Sequence, residues 1–156
     1  MAILPGQKAP AFTLYDTDKK PVTLEEQQGK NVLLLFFPLA FTGTCTKELC
    51  SIRDNIGLYN TANAQVFGIS VDAPATLAKF RQDQGLNFPL LSDFNKEASA
   101  AYGSLYETFA GWMKGVSKRS AFVIDKQGIV RYAQVLENAG DLPDFEAIQG
   151  VLTTLK

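Results

Sequence analysis

Six consecutive apolar residues, Val32-Leu33-Leu34-Leu35-Phe36-Phe37, end abruptly at Pro38. An apolar run of that length bounded by a proline predicts a β-strand over residues 31–37, covered on both faces as strands are inside a parallel sheet. A second run, Val66-Phe67-Gly68-Ile69-Ser70-Val71, predicts another such strand over residues 65–71. Between them Leu49, Ile52 and Ile56 recur at spacings of three and four, the mark of an amphipathic helix. Thr42 and Thr44 offer hydroxyls for its N-cap, Glu48 stands within reach of a capping role in its first turn, and Gly57 or the stretch 60–63 ends it.

The rest of the chain continues the alternation. Asp72 is placed to cap a helix over 74–84 that Gly85 stops, Pro89-Leu90-Leu91 is a short extended piece, and residues 96–102 form a short helix closed by Gly103. Asp125-Lys126-Gln127-Gly128, between the apolar stretches 120–124 and 129–133, predicts a β-hairpin. Phe145, Ile148, Val151, Leu152 and Leu155 share one stripe of a final helix over 143–155. Near the N-terminus, Phe12-Thr13-Leu14 and Val22–Leu24 read as short strands around the turn Asp16-Thr17-Asp18. Strands alternating with helices imply an α/β sandwich with parallel strands inside, and the late hairpin makes the sheet mixed. No repeat, linker or low-complexity segment interrupts the 156 residues, which suit one domain.

Composition narrows the chemistry. Basic and acidic residues nearly cancel, 15 against 16, so there is no basic field for a nucleic-acid backbone. The longest apolar run is too short to cross a bilayer, and residues 1–6 lack the basic start and long apolar segment of a secretory signal; a soluble, cytoplasmic protein is expected. There is no histidine, which removes imidazole bases, histidine metal sites and Cys–His pairs. The two cysteines, Cys45 and Cys50, are too few for a disulfide framework or for a metal site of their own. No cofactor is expected.

Cys45 lies where a buried parallel strand passes into a helix. In open α/β sheets, ligands bind at the carboxyl ends of the strands. A thiol at a helix N-terminus faces unpaired N–H groups and the positive end of the helix dipole, and both favour the reactive thiolate. That ranks Cys45 above Cys50 as a nucleophile. The competing reading is a small buried hydrophobe, the commoner fate of a free cysteine. Thr42 reads equally as a plain helix cap and Arg119 as a surface charge. Trp112, Phe109 and Met113 fit core or surface packing at helical spacing, or else an active-site wall or subunit contact; Phe94, Tyr102 and Tyr106 read as packing residues.

Three motifs in order then carry a resemblance. Pro38, Thr42 and Cys45 match Pro-x-x-x-Thr-x-x-Cys without a gap; Pro5-Gly6 through Ala9-Pro10-Ala11-Phe12 precedes it; and Arg119-Ser120-Ala121-Phe122-Val123-Ile124-Asp125 follows. Together they resemble the peroxiredoxins, the alkyl hydroperoxide reductase/thiol-specific antioxidant family, over almost the whole chain. The resemblance implies a thioredoxin-like fold with helices on both faces of a mixed sheet. It implies a thiol-dependent peroxidase for hydrogen peroxide and organic hydroperoxides. In it Cys45 would be the peroxidatic cysteine that becomes a sulfenic acid, Thr42 would hydrogen-bond the peroxide, Arg119 would favour the thiolate and orient substrate, and Pro38 would shield the pocket. Glu48 matches a glutamate often found three residues after that cysteine, with a capping or ion-pair role, toward Arg119 or Arg53, as plausible as direct chemistry.

The spacing Cys45-x-x-x-x-Cys50 resembles the Q-type (bacterioferritin comigratory protein) branch, in which the second cysteine resolves the sulfenic acid and thioredoxin or a similar dithiol reduces the disulfide. Pro38-Leu39-Ala40-Phe41-Thr42-Gly43 looks more like the alkyl hydroperoxidase E-like branch, which lacks that spacing. Five residues apart on a regular helix, two Cα atoms are roughly 8–9 Å apart and about 140° around the axis. A disulfide needs them within ~7 Å, so resolution would require the helix to unwind. Cys50 would otherwise be a half-buried core residue, and the enzyme a one-cysteine peroxidase served by an external thiol. A dithiol oxidoreductase would want Cys-x-x-Cys, and a non-catalytic holdase on the same fold would be indifferent to loss of Cys45. The chain is expected to be a monomer or homodimer.

Overall fold

A computed structural model describes residues 3–155. The core is one seven-stranded sheet in the order β2-β1-β5-β4-β3-β6-β7. The apolar run after Lys30 is its central strand β3 (Asn31–Phe36), buried along its whole length. It pairs in parallel with β4 (Ala64–Ser70), which pairs in parallel with β5 (Leu90–Ser92). On the other side β3 runs antiparallel to β6 (Arg119–Ile124), itself paired with β7 (Val130–Leu136). The hairpin β1 (Thr13–Asp16) and β2 (Pro21–Thr23) joins β5 antiparallel, so the sheet is mixed.

Period-two alternation divides β3 between two apolar clusters. Leu33, Leu35 and Phe37 join Leu49, Ile52, Leu77, Phe80, Ile148 and Leu152 in one. Those partners come from α1 (Gly43–Asp54), α3 (Pro74–Gln84) and α5 (Phe145–Thr154). Val32, Leu34 and Phe36 join Phe12, Leu14, Phe122 and Tyr102 in the other, with Ala98 of α4 (Glu97–Ala101). The continuous apolar run is therefore what a strand buried on two faces requires.

Several local expectations change. The helix carrying Leu49, Ile52 and Ile56 is broken: α1 stops at Asp54, Asn55 leaves helical geometry (φ −119°, ψ 19°), and α2 (Ile56–Thr61) starts afresh. The Asn55 amide donates to the Ser51 carbonyl at 2.8 Å, satisfying a terminal carbonyl of α1 in place of the next helical N–H. Asp72 does not cap α3. Ala73 holds the extended N-cap position, Pro74 opens the helix, and the Asp72 carboxylate turns toward the loop after β3. Gly85 does stop α3, in the left-handed region at φ 60°. Neither Thr42 nor Glu48 caps α1 with its side chain: Thr42 is the N-cap residue by backbone geometry only. The last helix begins at Phe145, with Asp144 accepting from the Ala147 N–H at 3.0 Å. Phe109 and Met113 do not lie on a helix; they pair across a tight turn, with Trp112 exposed at its tip. β7 extends three residues beyond the expected strand, which bears directly on the site.

Candidate active site

Pro38 ends β3 and begins a loop to α1 that is held from two sides. The Ala40 N–H donates to Asp72 Oδ2 at 2.8 Å, and that carboxylate is itself fixed by the Ser70 hydroxyl at 2.6 Å. Phe41 sits at φ 65°, a strained region for an aromatic residue, with its ring edge-on to Phe80. The turn delivers Thr42 to the start of α1, and Cys45 falls in the first helical turn with about 1% of its surface exposed. Thr42 Oγ1 donates to the Leu39 carbonyl at 2.7 Å. Its lone pairs are thus left to accept from a ligand.

Arg119 reaches this point from the other side of β3. It is the first residue of β6, its neighbour Ser120 lies opposite Phe36, and antiparallel pairing brings it to the carboxyl end of β3. Its guanidinium is almost fully buried and every bond it makes is directed. Nη2 donates to Cys45 Sγ at 3.3 Å and to the Ala139 carbonyl at 2.9 Å. Nη1 donates to Glu48 Oε1 at 2.6 Å, and Nε to Ala139 at 3.3 Å. Burial works against the charge of Arg119, but Glu48 and the Cys45 sulfur outweigh it and hold the group above its ordinary pKa. The cation is therefore permanent.

Glu48 lies one turn beyond Cys45 and behind the guanidinium, fully buried. Burial pushes its carboxyl up to about 7, against the opposing pull of the Arg119 charge and hydrogen bond. Among the described residues its Oε2 has no hydrogen-bond partner. Glu48 makes the ion pair with Arg119; Arg53 pairs with Asp54 instead.

Pro38, Thr42, Cys45 and Arg119 line one cavity of about 250 Å³. A larger hollow of about 400 Å³, beside Tyr15, Pro74 and Phe94, contains no thiol. Glu48 supports the small cavity from behind, and Cys50 does not line it. Two groups that the motifs did not mark complete it. Phe109 forms part of the wall, and the segment after β7 supplies Ala139 and Gly140. The only sequence signal for the second would have been a longer β7, since pairing of Leu136 with Arg119 carries the next residues to the guanidinium. α1 runs unbroken through both cysteines, so the separation expected for a regular helix applies. Both thiols are free.

The arrangement places a buried thiol at a helix N-terminus under a cation, facing a confined space with a hydroxyl acceptor. Such a site sets a permanent cation against the sulfur and gathers donors where negative charge develops on a leaving oxygen. No group of residues that could hold a metal occurs among the described residues. Nor is any described helix long and apolar enough to cross a membrane.

Comparison with known proteins agrees. The AhpC/TSA family pattern matches residues 5–133. Alkyl hydroperoxide reductase E of Mycobacterium tuberculosis is 41% identical over 142 residues, 89% of each chain. Peroxiredoxin Bcp of Escherichia coli is 38% identical over 128 residues, 81% of this chain and 82% of its own. The crystal structure of peroxidoxin BcpB from Mycobacterium tuberculosis superposes with a TM-score of 0.86 at 30% identity, covering 97% of each chain. This chain, with its thioredoxin-like sheet, thus belongs to the AhpC/TSA family of peroxiredoxins and is a thiol-dependent peroxidase.

Proposed function

We propose that Cys45 is the peroxidatic cysteine and that the cavity above it admits hydrogen peroxide and small organic hydroperoxides. The observation that carries this reading is the 3.3 Å approach of Arg119 Nη2 to Cys45 Sγ inside the cavity that Thr42 lines. The thiolate attacks one peroxide oxygen; an S–O bond forms and the O–O bond breaks. The thiol becomes a sulfenic acid, and the departing hydroxide or alkoxide leaves as water or alcohol after taking a proton. Thr42 Oγ1, its own proton committed to Leu39, accepts from the peroxide hydroxyl and orients it. Arg119 stabilises the charge first on sulfur and then on the leaving oxygen. Pro38, itself buried, limits water at the reacting atoms. Glu48 touches no reacting atom and acts by holding Arg119.

In this reading Cys50 resolves the sulfenic acid as an intramolecular disulfide, which thioredoxin or a similar dithiol reduces, and the whole chain works as one domain. Cys50 lies outside the cavity, on the same continuous helix, so α1 must open before the two sulfurs meet. The test is mass spectrometry of wild type, Cys45→Ser and Cys50→Ser after a stoichiometric pulse of peroxide. Cys45→Ser is expected to lose peroxide consumption, and Cys50→Ser to accumulate sulfenic acid at Cys45. Unimpaired consumption by Cys45→Ser would refute the peroxidatic assignment. A wild type that stays at sulfenic acid until an external thiol is added would assign a one-cysteine cycle instead.

A further inference from the structure

Cys50 is tied down in the reduced fold by the far end of another helix. Its Sγ donates to Gln84 Oε1 at 3.6 Å. Three residues on, Arg53 Nη1 donates to the main-chain carbonyl of Gln84. The Arg53 carbonyl, one of the terminal carbonyls of α1, accepts from Asn87 Nδ2 at 3.2 Å. Gln84 is the last residue of α3, and the left-handed Gly85 turns the chain so that Asn87 follows before β5. One corner of the fold therefore grips α1 by a thiol, a side chain and a backbone carbonyl, all within residues 50–53. None of these residues lines the Cys45 cavity.

We propose that Gln84, Asn87 and Arg53 form a latch that holds Cys50 in its helix and sets the rate at which it is released to resolve the Cys45 sulfenic acid. The inference rests on Cys50 being the resolving cysteine. In the latched state the Cys50 S–H is engaged by Gln84 and its sulfur is held on the wrong side of the helix from Cys45. Release frees it to reach Cys45. The Cys50 sulfur then attacks the Cys45 sulfur; an S–S bond forms, the S–O bond breaks, and the hydroxide leaves as water with the proton that Cys50 gave up. No further oxidant is needed. The competing reaction is attack of a second peroxide by the waiting sulfenic acid, which gives sulfinic acid and ends the cycle. The latch thereby governs how oxidised enzyme divides between recycling and inactivation.

The side chain of Gln84 is half-buried and that of Asn87 exposed, so both can be truncated without opening the core. In Gln84→Ala the Arg53 bond to the main chain survives, isolating the thiol contact. Rapid quench with mass spectrometry follows sulfenic acid, disulfide and sulfinic acid after a peroxide pulse. In the Gln84→Ala/Asn87→Ala double variant, disulfide formation is expected about tenfold faster than in wild type, from loss of two modest hydrogen bonds. Less sulfinic acid should accumulate, with the rate of sulfenic acid formation unchanged. Gln84→Glu, which keeps an acceptor for the thiol, should return the disulfide rate toward wild type; a merely structural role for position 84 would not produce that rescue. Should the double variant fold poorly, Gln84→Ala alone carries the test, with a smaller acceleration. If wild type forms the disulfide and Gln84→Ala matches its rate, the latch is refuted while the role of Cys50 stands. If no intramolecular disulfide forms in any variant, both are refuted together.

Discussion

At the scale of single residues, the buried pair of Arg119 and Glu48 explains why neither can be exchanged simply. Arg119→Lys keeps a charge but not the fork that spans Cys45, Glu48 and Ala139 at once. We expect the second-order rate constant with peroxide to fall about 100-fold in that variant, read by stopped-flow fluorescence. Arg119→Ala also strands a buried carboxyl and should cost about 3–5 kcal/mol of stability in urea unfolding, part of it recovered by adding Glu48→Gln. Glu48 itself leaves a pH signature. Its folded value of about 7 lies above the ordinary carboxyl value of 4.5, so the native state binds the proton more tightly than the unfolded chain. Its stabilising contribution is full below about 4.5 and is lost as pH rises through about 7, a fall of roughly 3 kcal/mol. Urea titrations at pH 5 and pH 8 should therefore show Glu48→Gln gaining on wild type as pH rises; a difference that does not vary with pH would refute the assignment.

At the scale of elements, the loop between β3 and α1 matters as much as the helix it feeds. Phe41 is strained, and strain of that kind persists only where neighbours hold it. Here the neighbours are Phe80 and the Asp72 carboxylate on the Ala40 N–H. Removing the carboxylate in Asp72→Ala leaves a buried-side N–H without its charged acceptor and should cost about 1.5–3 kcal/mol. Because Thr42 follows this turn directly, the same variant should raise KM for peroxide more than it lowers kcat. Steady-state peroxide consumption, with circular dichroism as a check on folding, separates that result from general unfolding. The position expected to cap α3 is thus a brace for the loop that leads to Thr42 and Cys45.

At the scale of the whole molecule, the reduced fold and the proposed disulfide state compete for the same residues. Bridging residues 45 and 50 closes a very short loop, worth about 2 kcal/mol by constraint of the unfolded chain. Unwinding between them takes Leu49 off the core and separates Glu48 from Arg119, which together cost more. The oxidised protein should therefore melt roughly 5–10 °C below the reduced protein in calorimetry, the reverse of a structural disulfide. An equal or higher melting temperature on oxidation would mean that α1 does not have to open.

The apolar runs around Leu34 and Phe67 and the stripe Leu49, Ile52 determined the sheet, its buried strands and the helix between them, because burial on two faces or one leaves its period in the residues themselves. Pro38, Thr42, Cys45 and Arg119 were legible as candidates for the same reason that a motif is: local spacing and residue type. Their convergence was not. The separation of 74 positions from Cys45 to Arg119 closes only through antiparallel pairing of β6 with β3, and the carbonyl of Ala139 arrives only because β7 runs on to Leu136. Likewise Asp72 could be read as a cap, and Gln84 as nothing in particular, until packing showed which distant group each one faces. Local pattern encodes what a segment buries. A hydrogen bond between distant segments depends on register and orientation, which exist only once the whole sheet is assembled.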